Sequence, residues 1–226
     1  MPLIFRPAEP RDAEQAVPLI YSSGPAAFDF VFKRAGLTAE GFLHGAFVDG
    51  GGMFGYHRHW VGEVDGKVVA AGTGYSGELN LRNMLTATRQ IMFSYGPVSV
   101  LPVMLNGLRL EKLIQPPARQ TFYLAHLGVA QGMRGEGIGT QLVQHLLKLG
   151  RSAGFQLAAL DVAASNPQAQ ALYERLGFAV VEERASTLPG IANHRYMTRA
   201  VWADAAVRLS RKRDCSSPSR AELVQL

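Results

Sequence analysis

A chain of 226 residues with 47% hydrophobic and 18% charged side chains can bury a substantial core, in one domain or one domain with a large insertion, and is too apolar to be globally disordered. Its single cysteine, Cys215, excludes a disulfide framework and a Cys-rich metal site, as in a reducing compartment. The net charge of +5 suggests nucleic acid until it is placed along the chain: Arg208, Arg211, Lys212, Arg213 and Arg220 against Asp214 and Glu222 put +3 of it in a polar tail. Such ends are usually solvated, and no aromatics or recognition motif accompany the run, so nucleic-acid binding is a distant reading. Met1 to Arg6 lacks a secretory pattern, and no uninterrupted apolar run approaches the roughly 18 residues of a spanning helix; a cytoplasmic protein without a membrane partner is expected.

In chain order, Leu3 to Arg6 reads as a short strand, and Asp12 precedes a helical pattern carrying Ala16, Leu19 and Ile20, broken at Ser22-Ser23-Gly24-Pro25. An aromatic-rich stretch from Ala26 to Phe32 and a short helix from Ala39 to Phe47 precede the glycines Gly50 to Gly52. His59 to Val64 and Lys67 to Tyr75 alternate as strands around Asp65-Gly66, a hairpin signal that predicts antiparallel pairing. Residues 78–120 carry apolar side chains at roughly helical intervals, interrupted at Gly96-Pro97 and ended by Pro116-Pro117, and predict a mostly helical insertion. Its apolar residues, such as Ile91, Phe93, Val103 and Leu108, must bury against something: the core as a lid, a second subunit in a homodimer, or both. Strand Phe122 to Val129, a glycine turn, helix Ile138 to Gly150, strand Gln156 to Val162, helix Pro167 to Leu176, strand Phe178 to Glu183 and strand His194 to Val201 complete a mixed sheet flanked by helices, an α/β (α+β) arrangement.

The turn Arg134-Gly135-Glu136-Gly137-Ile138-Gly139 lies between a strand and a helix whose apolar face is Ile138, Leu142, Val143, Leu146, Leu147 and Leu149. A helix start leaves unpaired N–H donors at the positive end of the macrodipole, a seat for phosphate or pyrophosphate, and glycines allow close approach. The Gly-x-Gly-x-Gly spacing departs from the dinucleotide fingerprint, and the lysine of a phosphate loop is missing; a plain connecting turn is the alternative. Further on, Asn166-Pro167 opens a helix with a side-chain cap and an N1 proline, Tyr173 follows two turns later, and Gly177 ends that helix.

Together Arg134, Gly137, Gly139, Asn166, Tyr173 and Gly177-Phe178 resemble the signature of the GCN5-related N-acetyltransferase superfamily, over about a quarter of the chain. The resemblance implies a mixed, mostly antiparallel sheet with a splayed parallel strand pair; residues 78–120 lie outside it and are longer than the family's usual link, so the chain divides into one domain over residues 1–204 with a helical insertion at about 78–120 and a basic tail over 205–226. It implies acetyl-CoA as cosubstrate, without a metal, and a primary amine of a small molecule or peptide as acceptor in a ternary complex. Arg134, Gly135, Gly137, Ile138, Gly139 and Thr140 would hold the pyrophosphate, and the main chain of Leu127 and Val129 the pantetheine arm and acetyl oxygen.

Tyr173 would protonate the departing thiolate, a phenol near pKa 10 being able to donate to a thiolate near 8.5, or would simply pack beside Leu172 and Leu176. Asn166 would bind a cofactor amide, cap its helix, or both. The family often has an acid on the strand before the glycine turn, where this chain has Ala125 and His126. His126 can serve as base because imidazole titrates near neutrality, a water relay or a purely structural histidine being the alternatives. His57 and His59 lack a ligand constellation. A rival is a CoA-binding sensor module that keeps the fold without turnover.

Overall fold

The computed structural model describes residues 2–34, 36–77 and 81–202, apart from the side chains of 81–84. The basic tail, with Cys215, lies outside the described residues. The chain runs β1 (Ile4–Pro7), α1 (Ala13–Ser22), α2 (Pro25–Phe32), α3 (Ala39–Asp49), β2 (His59–Val64), β3 (Lys67–Ser76), α4 (Leu81–Glu111), β4 (Thr121–Val129), α5 (Ile138–Ser152), β5 (Leu157–Ala163), α6 (Pro167–Arg175), β6 (Ala179–Arg184) and β7 (His194–Ala200). The strands form one sheet in the order β1-β2-β3-β4-β5-β7-β6, antiparallel throughout except between β4 and β5. The expected mixed α/β (α+β) sheet is present, with element ends moved by one or two residues where helix and strand termini fray.

Alternation along β4 and β5 sorts side chains onto two faces. Phe122, Leu124, Leu160 and Val162 join Leu142, Val143, Leu146 and Leu147 of α5 and Tyr173 of α6 in one core. Val61 and Ala71 meet Ile20, Leu43 and Phe47 of α1 and α3 in the other. The helices therefore cover opposite faces, α1 to α3 on one and α5 with α6 on the other. The α1 contact is close enough to require a glycine: a Cβ at Gly128 would stand 2.1 Å from the carbonyl oxygen of Leu19.

Asp12 does not cap α1 with its side chain; its carboxylate accepts from the Glu9 amide at 2.8 Å and takes both terminal nitrogens of Arg6, at 2.7 and 2.8 Å. Arg6 also donates to Glu63 at 2.8 Å, so an ion-pair network ties β1 to β2 and to the start of α1, and Arg6 holds the Asp12 carboxyl below the usual range. The insertion is helical as expected, but α4 is two arms, 81–95 and 97–111, hinged at Gly96 with φ 70° and ψ 171°. Its inner side packs on α2 and α3: the Tyr95 hydroxyl donates to the Phe32 carbonyl at 2.5 Å and Asn106 Nδ2 to the Phe30 carbonyl at 2.8 Å. Leu85–Glu111 is long and apolar enough on average to match a membrane span by length and composition, although polar residues and Gly96 interrupt its apolar run.

Gly128→Ala should destabilise the fold by at least the upper end of the about 1–3 kcal/mol typical of overpacking, because the obstacle is main chain that cannot rotate away. Urea denaturation of the two proteins measures it; equal midpoints would show that α1 does not sit against β4 in this way.

Candidate functional site

The site begins with an irregularity in β4. On β3, Ala71 and Thr73 flank one residue, Gly72, whereas their β4 partners Gly128 and Ala125 flank two, His126 and Leu127. This is a β-bulge, and it places His126 in the left-handed region at φ 56°. On its other edge β4 pairs with β5 only from Thr121↔Leu157 to Tyr123↔Ala159, although both strands continue. The sheet is thus splayed from Leu124 onward, as the resemblance implies. Leu127 and Val129 lie in the splayed stretch, and their side chains pack into the α5-side core.

On that side, α5 starts at Gly137, φ 78°, with no side-chain cap. Its first helical hydrogen bond runs from the Gln141 amide to the Gly137 carbonyl at 3.1 Å, and the amides of Ile138, Gly139 and Thr140 have no partner among the described residues. Gly135 is also left-handed, at φ 87°, which only glycine adopts cheaply. Nothing lies within 4 Å of where a Cβ would sit on Gly135 or Gly137, so their open side faces free space. Arg134 turns its Nε back to the Val129 carbonyl at 3.3 Å, which holds the turn against the end of β4. An open set of donors at a helix start can take a pyrophosphate.

In contrast, α6 is capped: Asn166 Oδ1 accepts from the Ala169 amide at 3.1 Å. Tyr173 is buried on the same face, edge-on to Phe178 at 6.1 Å, and its hydroxyl meets no hydrogen-bond partner among the described residues. Burial pushes its pKa up to about 12, which keeps the phenol protonated.

On the opposite face, His126 is paired with His59 of β2, a contact that sequence reasoning missed because 67 residues separate them. His59 is fully buried; its Nδ1 lies 2.9 Å from the Gly55 carbonyl and its Nε2 3.0 Å from His126 Nδ1. A carbonyl can only accept, so in the neutral pair His59 donates from Nδ1 and accepts at Nε2. His126 must then donate from Nδ1, which leaves a lone pair on its Nε2. Burial lowers His59 to about 4 and His126 to about 3, so both rings are neutral at physiological pH. The rings stack at 5.3 Å, and Phe54 and Phe28 stand 5.3 and 5.8 Å from His126. The loop that supplies the Gly55 carbonyl closes on itself, a Cβ at Gly55 falling 2.0 Å from the Gly50 oxygen.

A second group on this face lies where the strands part. Tyr123 of β4 donates to Asp161 Oδ2 of β5 at 2.7 Å, and Arg184 of β6 approaches Oδ1 at 3.3 Å while lying 4.9 Å over the ring of Tyr196. Burial raises the Asp161 carboxyl to about 6 despite the lowering effects of Tyr123 and Arg184. Nothing in the sequence singled out Asp161, since one acid in an apolar strand shows its partners only after folding. No group of three or more His, Cys, Asp or Glu residues that could hold a metal is found among the described residues.

The chain is 39% identical to N-alpha-acetyltransferase 30 of Schizosaccharomyces pombe over 56 residues, 25% of this chain and 37% of the relative. It is 44% identical to N-alpha-acetyltransferase MAK3 of Arabidopsis thaliana over 62 residues, 26% of this chain and 33% of the relative. The matched stretches therefore span about a third of these curated relatives. The fold is similar to that of an N-acetyltransferase from Staphylococcus aureus Mu50, with a TM-score of 0.60 at 19% identity over 87% of this chain and 100% of that one. The profile of the acetyltransferase (GNAT) family matches residues 46–178, more than half of the sequence and the stretch that holds the bulge, the splay and the glycine turn, and the chain belongs to that family.

Proposed function

We propose that this protein is an N-acetyltransferase that moves the acetyl group of acetyl-CoA to a primary amine by direct attack in a ternary complex, with residues 1–204 as the catalytic unit. The observation that carries the reading is the splay between β4 and β5, with open helix-start amides on one face and an imidazole with a free Nε2 on the other. A cofactor held by its pyrophosphate at Arg134, Gly135, Gly137, Ile138, Gly139 and Thr140 would pass its acetyl end through the splay along Leu127 and Val129, with Asn166 at its flank. The amine would arrive from the α1–α3 face. The N-alpha-acetyltransferase relatives support a peptide amine as a substrate class to test beside small molecules.

The chemistry follows from the groups present. An amine near pKa 10.4 must lose a proton to become a nucleophile. That first proton leaves to solvent; as the neutral nitrogen then bonds to the acetyl carbon, His126 Nε2 takes the second proton, which the new C–N bond makes acidic, and the hydrogen bond to His59 spreads the resulting charge over two rings. The carbon–sulfur bond breaks, and the thiolate takes the Tyr173 proton. Main-chain donors freed by the splay stabilise the charge on the acetyl oxygen. A cytoplasmic location belongs to this reading.

Gly137→Asp should abolish acetyl-CoA binding, because a carboxylate enters an anion seat at a left-handed position. Unchanged affinity by calorimetry in the folded variant would refute the seat. Tyr173→Phe should lower kcat by about 10²–10⁴-fold with little change in acetyl-CoA Kd, the ring packing being kept. Near-normal turnover with a rate-limiting chemical step would leave Tyr173 a packing residue.

His126→Phe should lower kcat by about 10²-fold or more across an amine panel, and His59→Phe by less, because it removes only the acceptor that fixes the His126 tautomer. Asp161→Asn serves as the comparison. Turnover lost in Asp161→Asn and kept in His126→Phe would transfer the base role to Asp161. A wild-type chain that binds acetyl-CoA tightly and acetylates no amine would be a sensor module instead.

A further inference from the structure

The two arms of α4 bury one side and expose another that is equally apolar. On the second arm, Val103 is fully buried and Asn106 bonds to α2, while Val98, Leu101, Leu105 and Leu108 are 88%, 65%, 45% and 57% exposed. At 100° per residue these four fall on one stripe, nearly opposite Val103. On the first arm, Ile91 and Gln90 are buried, and Phe93 is 85% exposed.

The spacing of the stripe is 3-4-3, the a/d seam of a helix that packs knobs into holes against another helix. It is also palindromic about position 103. An antiparallel copy therefore sets Val98 against Leu108 of the second copy and Leu101 against Leu105, the relation a two-fold axis requires. No charged residue lies between Arg89 and Arg109, so this seam brings no like charges together. Leu85, Met92 and Phe93 on the first arm and Met104 on the second are exposed as well, so the bare apolar surface of the whole helix is of the order of the about 800 Å² per partner of a standard interface.

A lipid surface fits less well. Interfacial helices carry Lys and Arg on their polar face, whereas the side of α4 opposite the stripe is packed on α2 and α3, and Arg89 is bound to Asp49 at 2.6 Å. The break at Gly96 also divides the apolar stretch into arms of about 22 Å, shorter than the roughly 30 Å of a hydrocarbon core.

We infer that the outer face of α4 is a homodimer interface, in which the 97–111 arms of two copies pack antiparallel along Val98, Leu101, Leu105 and Leu108. Sedimentation equilibrium of the full chain at micromolar concentrations tests it. The wild type should show the mass of two chains, and Leu101→Glu with Leu105→Glu, which sets like charges facing across the axis, should halve that mass with the thermal melt and acetyl-CoA affinity retained. If that variant loses its circular dichroism, Leu101→Gln with Leu105→Gln is measured in its place, with the same halving expected. A one-chain mass for the wild type at every concentration overturns the inference, as does a folded variant that keeps the two-chain mass. Co-flotation of a monomeric wild type with phosphatidylcholine–phosphatidylserine vesicles, lost in the variant, would assign the face to lipid and overturn it equally.

Discussion

Everything at the candidate site depends on β4 ceasing to pair with β5 after Tyr123↔Ala159. A parallel ladder that continued would consume the main-chain donors and acceptors of both strands and close the sheet between its two helical layers. The bulge at His126 and Leu127 increases the local twist of β4, and the lone glycine opposite it, Gly72, leaves room for Leu127 and for Leu142 of α5. Across the opening, Tyr123 and Asp161 form a short polar bridge at its narrow end. The gap is therefore framed by specific interactions on both sides and does not come from poor packing.

The two faces of the sheet differ in electrostatic character. The α5 start offers unpaired amides and the positive end of a helix dipole. The other face offers neutral imidazoles under phenyl rings, where burial disfavours charge and favours a free lone pair. The insertion contributes to this without touching the histidines: Tyr95 packs 5.6 Å from Phe42, Phe42 lies 6.2 Å from Phe54, and Phe54 stacks on His126. The surroundings of His126 are thus built in layers from the outer helix inward.

Legibility followed the range of the interactions. The α5 turn, the Asn166 cap and the Asp65-Gly66 hairpin were readable because glycine conformations, capping and strand alternation are settled within a few residues. Arg6 could not be read as the partner of Asp12, because it lies on the preceding strand while Asp12 stands at the start of the first helix. His59 could not be read as a partner of His126, nor Asp161 as a bridge to Tyr123, since only the folded sheet brings β2 to β4 and β4 to β5 at those positions. The bulge was equally hidden, because a strand that carries one extra residue still alternates on either side of it.

One small contact bears on how the molecule can change. A Cβ at Gly77 would lie 1.7 Å from the Pro117 oxygen, so the chain leaves the sheet and returns to it through a single point, beside the Ser76↔Phe122 pair that closes the β3–β4 ladder. The segment between them is topologically a closed loop hung from one hinge, and its length does not set the distance between the two strands. Closure entropy grows only with the logarithm of loop length, about 0.6 kcal/mol for each doubling. This junction is consequently a port at which helices could be enlarged, trimmed or exchanged over evolutionary time while the strand register, and the chemistry aligned by it, stays fixed.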